Sequence, residues 1–207
     1  LQLMKFNQFD TIYHEHFSYL SLLSVETVFR AAGLRVFDVE ELPTHGGSLR
    51  IFVTHEENLN FEESARLAEL RRTEARAELG KLDGYRAFSQ QLINTKMSFL
   101  RFLLDARSEG SKIVGYGAPA KGNTLLNYCG VYNDLLDYTV DLSPHKQNHL
   151  LPGTRIPIYA PSKIEETKPD YVLILPWNLE AEITEQMSCI RQWNGKFVVP
   201  IPEVRVV

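Results

Sequence analysis

From Lys112 onward the sequence alternates short apolar runs with helix-type stretches, and this alternation limits the fold more than any other feature. Ile113-Val114-Gly115-Tyr116-Gly117-Ala118 reads as a strand running into a glycine turn. Residues 123–128 open a short helix, and Asp137-Tyr138-Thr139-Val140-Asp141 reads as a second strand. Tyr171-Val172-Leu173-Ile174-Leu175 is apolar without alternation, the pattern of a strand covered on both faces. Residues 179–193 read as a helix closed by Asn194-Gly195, and Phe197-Val198-Val199 as a last strand. Strands and helices in turn call for right-handed crossovers and a parallel sheet, so the fold class is α/β.

The first half has a different character. Ser24 is the expected N-cap of a helix through Ala32, stopped by Gly33. Residues 34–42 form a strand, Pro43-Thr44-His45-Gly46-Gly47 a turn, and residues 48–53 the returning strand with Leu49, Ile51 and Val53 on one face. Helix, strand, turn and strand are too few to bury a core alone, so residues 1–57 read as the ending of a domain. Residues 58–110 read as a helical connector. Glu and Arg at three- and four-residue intervals mark residues 61–79 as a solvated helix, and Gly80 and Asp83-Gly84 break it. Leu82, Tyr85, Phe88, Leu92, Phe99 and Leu103 then make an apolar stripe at helical spacing, read as core packing.

Composition excludes several classes. A formal net charge of -4 gives no footing to a nucleic-acid or membrane-surface partner. Cys129 and Cys189 are isolated thiols without metal-type spacing, the usage of a reduced, cytoplasmic protein. No apolar run approaches the roughly 18 residues of a membrane span, and no secretory signal is present. The first residue is Leu1 rather than Met, so the chain is expected to be a piece of something longer or a processed product.

Two stretches could carry chemistry. Ile12-Tyr13-His14-Glu15-His16-Phe17 places four proton-handling side chains in a row between apolar flanks. An imidazole can remove a proton beside a carbonyl, a carboxylate can tune it, and a phenol can donate to the developing oxyanion. Adjacent residues on a strand face opposite ways, so Glu15 and His16 converge only if the segment bends. A metal site formed by His14, His16 and His45 is conceivable, but lacks a second carboxylate or a Cys pair. The second stretch, Gly115-Tyr116-Gly117-Ala118-Pro119-Ala120, fits G-x-G-x-x-G/A between a strand and a helix. Lys121 could add a charge toward a diphosphate, and Asp141 stands where a ribose-binding acid would lie. Ser143, Lys146 and Gln147 fall at the same sheet edge. Only about one mononucleotide half follows Lys112, which disfavours a nicotinamide oxidoreductase.

Several blocks together resemble one family. They are Tyr13-His14-Glu15-His16-Phe17-Ser18-Tyr19, Leu42-Pro43-Thr44-His45-Gly46-Gly47-Ser48-Leu49-Arg50, Gly115-Tyr116-Gly117-Ala118-Pro119-Ala120-Lys121-Gly122-Asn123-Thr124, Pro176-Trp177-Asn178 and Phe197-Val198-Val199-Pro200-Ile201-Pro202. The chain is similar to the C-terminal part of S-adenosylmethionine-dependent C-methyltransferases that act on nucleotide-linked keto-sugars. The resemblance implies a Rossmann-like parallel sheet over residues 111–207, preceded by the helical connector and by the closing helix, strand and strand of a methyltransferase domain. It departs from the family in having no four-cysteine zinc module and no glycine-rich turn for S-adenosylmethionine. The donor site is thus expected in a missing N-terminal portion, with no cofactor bound by this chain and the fragment inactive alone.

The resemblance also implies roles. His16 is the candidate general base, with Glu15 and Tyr13 as companion catalytic residues. His45, Ser48, Gly117, Lys121, Asn123 and Lys146 are candidate contacts to a nucleotide-linked keto-sugar. The alternative is a non-catalytic module that binds a nucleotide or its diphosphate at the Gly115 turn.

Overall fold

A computed structural model describes residues 1–207, the side chain of His45 excepted. The chain divides into two units, Leu1–Phe6 with His16–Gln90, and Asn7–Glu15 with Gln91–Val207. One division in sequence falls between Glu15 and His16, and another falls inside a long helix.

The first unit holds a short helix α1 (Gln2–Lys5), helix α2 (Leu22–Ala31), strands β1 (Leu34–Leu42) and β2 (Ser48–His55), helix α3 (Ala65–Arg76) and the start of α4 (Asp83–Ser108). β1 and β2 form an antiparallel pair running from Leu34 opposite His55 to Leu42 opposite Ser48. Leu22, Val36, Val39, Leu67 and Leu70 form its core. The helix start at α2 differs from expectation. Ser21, not Ser24, is the N-cap, and its hydroxyl accepts from the Ser24 amide. Starting three residues earlier puts Leu22 fully inside the core.

Helix α2 also takes a cap from far along the chain. Its first amides need acceptors because no earlier turn supplies carbonyls. Glu74 of α3, only 4% exposed, accepts from Leu22 N at 2.8 Å through Oε1 and from Leu23 N at 2.9 Å through Oε2. A carboxylate there also meets the positive end of the helix dipole.

The second unit is a six-stranded sheet in the order β5-β4-β3-β6-β7-β8. The strands are β3 (Ile113–Tyr116), β4 (Thr139–Val140), β5 (Ile158–Tyr159), β6 (Tyr171–Ile174), β7 (Lys196–Val199) and β8 (Arg205–Val206). All neighbours are parallel except β7 and β8. Helices α5 (Ala120–Cys129), α6 (Ser162–Thr167) and α7 (Glu180–Gln186) connect them. This is the α/β, Rossmann-like sheet expected. Val114, Val172, Ile174, Phe197 and Val199 lie in one core cluster with Ile164, Ile183 and Ile190 from the connecting helices. Helix α5 starts at Ala120, earlier than the expected Asn123, because Gly122 sits in a helix rather than a turn. The expected helix over 179–193 is two pieces: Met187 leaves helical geometry, and Ser188–Trp193 winds as a 3-10 helix. Positions three apart eclipse in that winding, which keeps Met187 and Ile190 both buried.

Replacing Glu74 by Ala should leave two amides without acceptors in a buried setting, at a cost of about 2–4 kcal/mol. Urea unfolding followed by circular dichroism checks this. A loss below about 0.5 kcal/mol would show that water or Ser21 caps the helix adequately.

Candidate functional site at the carboxyl edge of the sheet

The strand order reverses between β3 and β6, with β4 and β5 beyond one and β7 and β8 beyond the other. Ligands of open α/β sheets bind outside the carboxyl ends of the strands at such a point. The loops there are residues 117–119 after β3 and residues 175–178 after β6.

The glycines of the first loop answer to packing. Gly117 has φ +88°, and a Cβ on it would lie 2.6 Å from Pro176 Cδ. A Cβ on Gly115 would lie 2.7 Å from Thr139 Oγ1, and one on Gly122 would lie 2.8 Å from Leu175 Cβ. Thr139 Oγ1 in turn donates to the Gly117 carbonyl at 2.7 Å. Each close approach that the glycines permit is therefore taken up by protein atoms.

Asp141 is likewise turned inward. Its Oδ2 accepts from the Ala118 amide at 2.7 Å and from Lys146 Nζ at 3.3 Å, and its Oδ1 accepts from the Ser143 amide at 2.8 Å. Lys146 also donates to the Ala118 carbonyl at 3.0 Å. The acid read as a ribose partner thus pins the glycine turn, and Lys146 helps it.

Lys121, in the first turn of α5, reaches across the loops. Its Nζ donates to Asn178 Oδ1 at 2.7 Å and lies 4.6 Å from the centre of the Trp177 ring. No carboxylate stands within ion-pair distance of it among the described residues. Burial pulls its ammonium below the usual lysine range, with the Asp10 charge acting the other way. Asn123 Oδ1 is buried with no hydrogen-bond partner among the described residues.

Asp10 was not singled out by its sequence setting. It sits in a 3-10 turn, Phe9–Thr11, and is 0% exposed. Its Oδ2 accepts from Trp177 Nε1 at 2.6 Å, while Oδ1 meets no donor at hydrogen-bond geometry among the described residues. Burial pushes its carboxyl up to about 6, against the pull of the Trp177 hydrogen bond, the Lys121 charge and the amides of Asp10 and Thr11. Trp177 is therefore held at its N–H by Asp10 and on its face by Lys121.

Beyond Asp10 the chain emerges. Tyr13 is half-buried, with its ring 6.4 Å from that of His14; His14 and Glu15 are exposed and lie in a turn. The strand geometry that would align His14 with His16 is absent, so the spacing argument for a metal site fails. Among the described residues no group of three or more His, Cys, Asp or Glu could hold a metal. In the first unit, His16 is exposed and its ring stands edge-on to Tyr19 at 6.1 Å. Ser48 Oγ donates to the Thr44 carbonyl at 3.0 Å. The side chain of His45 lies outside the described residues.

Residues 43–202, about three quarters of the chain, match the family described as C-methyltransferase C-terminal domain. The chain belongs to that family. A relative, the C-methyltransferase NovU of Streptomyces niveus, is 38% identical over 207 residues, all of this chain and 49% of that protein. The chain thus spans about half the length of the curated relative it matches. The C-methyltransferase C-terminal domain match takes in Ser48, Gly117, Lys121, Asn123, Lys146 and Trp177, whereas Asp10, Tyr13, Glu15 and His16 precede it. The alignment with NovU covers both groups. No helix among the described residues is long and apolar enough to cross a membrane.

The Asp10 carboxyl gives a pH dependence of definite sign. A buried acid with a raised pKa binds its proton more tightly when folded. Its stabilisation is therefore full below the unfolded value near 3.8 and is lost as pH rises through about 6. That loss amounts to about 3 kcal/mol. Asp10→Asn removes the titration, so the variant should gain on the wild type between pH 4 and 7.5. Thermal unfolding of both across that range tests it, and a stability difference independent of pH would refute it.

Proposed function

We propose that this chain is the sugar-side part of a C-methyltransferase acting on a carbon beside the ketone of a nucleotide-linked keto-sugar. The observation that carries the reading is the family match, joined to alignment of the whole chain with about half of a C-methyltransferase. His16 supports it by lying exposed, where a substrate carbon can approach.

A C–H next to a ketone is acidified because the electrons it leaves behind spread onto oxygen as an enolate. His16, as neutral imidazole, takes that proton: the C–H bond breaks, an N–H bond forms, and the ketone oxygen gains charge. Tyr13 donates to that oxygen, and Glu15 stabilises the imidazolium. Lys121 and Asn123 contact the diphosphate or sugar, and His45 and Ser48, which lie in another of the blocks that resemble the family, are further substrate contacts. Gly117 and Lys146 act through the turn they shape.

The residues present do not fit S-adenosylmethionine. The chain's glycine-rich strand-turn is closed by Pro176, Thr139 and Leu175, which leaves no cradle for a donor at that turn. The methyl group therefore comes from a donor held by the remainder of the protein, and this chain by itself does not transfer methyl.

A second reading, a non-catalytic nucleotide or diphosphate module, draws on Lys121, a half-buried cation at the start of α5 that lies over the Trp177 ring, with no carboxylate at ion-pair distance among the described residues. It predicts binding without proton abstraction. The longer protein incubated with a nucleotide-linked keto-sugar in deuterium oxide separates the two. Base chemistry predicts exchange of the proton beside the ketone, falling about 100-fold or more in His16→Ala with the fold intact. Exchange that persists unchanged in His16→Ala rules out the assigned base. Binding with no exchange in wild type favours the second reading.

A further inference from the structure

Residues 7–11 form a buried polar knot just before the segment proposed for acid-base chemistry. Asn7 and Asp10 are fully buried, and Gln8 and Thr11 nearly so. Asn7 Nδ2 donates to Thr95 Oγ1 of α4, and to the Pro202 carbonyl at 3.1 Å. Phe9 is 3% exposed and meets Tyr128 of α5 edge-on, with ring centres 5.0 Å apart. Asp10 reaches Trp177 at the end of β6. Asn7, Phe9 and Asp10, within four positions of the chain, thus engage four different parts of the second unit.

Burying four polar side chains is costly unless they are hydrogen-bonded. Apolar residues would fill the same space at lower cost, so the polar choice calls for a reason. The reason lies in direction. A carboxyl bonded to one indole N–H fixes where the next residues leave the protein, which an apolar contact does only loosely. The backbone follows from it: the Thr11 amide donates to Gln8 O at 3.1 Å and the Ile12 amide to Phe9 O at 3.0 Å, closing the turn from which Tyr13 emerges.

We propose that Asp10 is a positioning residue: its hydrogen bond to Trp177 sets the place from which Tyr13 and Glu15 are presented at the sheet's carboxyl edge. The catalytic part of this statement rests on the methyltransferase reading above; the structural part does not. What the bond requires is an acceptor, not a charge. Asp10→Asn keeps an oxygen for Trp177 Nε1, and Asp10→Ala removes it.

The test uses the longer protein and two readouts. Hydrogen exchange should show the amides of Thr11 and Ile12 exchanging at least about tenfold faster in Asp10→Ala, with β3 and β6 amides unchanged and Asp10→Asn close to wild type. Turnover should fall about ten- to a hundredfold in Asp10→Ala with the KM for the keto-sugar little altered, and Asp10→Asn should restore most of it. Unchanged exchange at Thr11 and Ile12 overturns the positioning role, whatever the reaction. An Asp10→Asn variant as impaired as Asp10→Ala overturns the hydrogen bond as its means. Faster exchange in Asp10→Ala, with no methyl transfer by wild type, keeps the positioning role and sinks the methyltransferase reading.

Discussion

The architecture of the second unit depends on how closely β3 and α5 approach the strands beside them. Three glycines make that approach, and at each of them a Cβ would sit within 2.6–2.8 Å of Thr139, Leu175 or Pro176. Such distances are inside van der Waals contact, so any side chain there forces the strands or the helix apart. Closing this corner is what places residues 117–119 against residues 175–178, and it brings Lys121 over Trp177. The turn so formed is then held by Asp141 and Lys146 through its amide and carbonyl at Ala118. A signature associated with nucleotide cradles is here the means by which a sheet edge is assembled.

That edge carries charge in an unusual state. Lys121 stands half-buried over an indole face, and Asp10 is sealed at the indole's N–H edge with its carboxyl raised to about 6. The two charges are coupled through space without touching. Each is more costly to keep ionised than it would be in water, and each eases that cost for the other. Polar groups at this edge are therefore tuned by one another.

The alternation after Lys112 was legible because β3, β6 and β7 are short runs dominated by apolar and aromatic residues, the pattern of strands covered on both faces. β5 and β8, two residues each, and the six-residue α6 left no periodic signal. At α2, Ser21 and Ser24 are equally good caps in isolation, and only the burial of Leu22 decides between them. The segment proposed for acid-base chemistry stood out by its residue types, with His14, Glu15 and His16 side by side. Asp10 was not: its partner is 167 residues away, and nothing near it in sequence says that the acid is enclosed. The G-x-G pattern showed where the turn would be, while its packing purpose required knowing what Pro176 and Leu175 would occupy.

The antiparallel strand β8 has a consequence for how the molecule meets others. Val207 exchanges both backbone hydrogen bonds with Phe197, at 2.9 and 3.2 Å, and an ion pair joins Arg205 to Glu180. The outer side of β7 is thereby occupied by the chain itself. The opposite margin, β5, offers only two residues. A foreign strand seeking to extend this sheet finds β8 at one margin and β5 at the other, each two residues long and too short to grip, so the apolar β3, β6 and β7 are shielded from intermolecular templating.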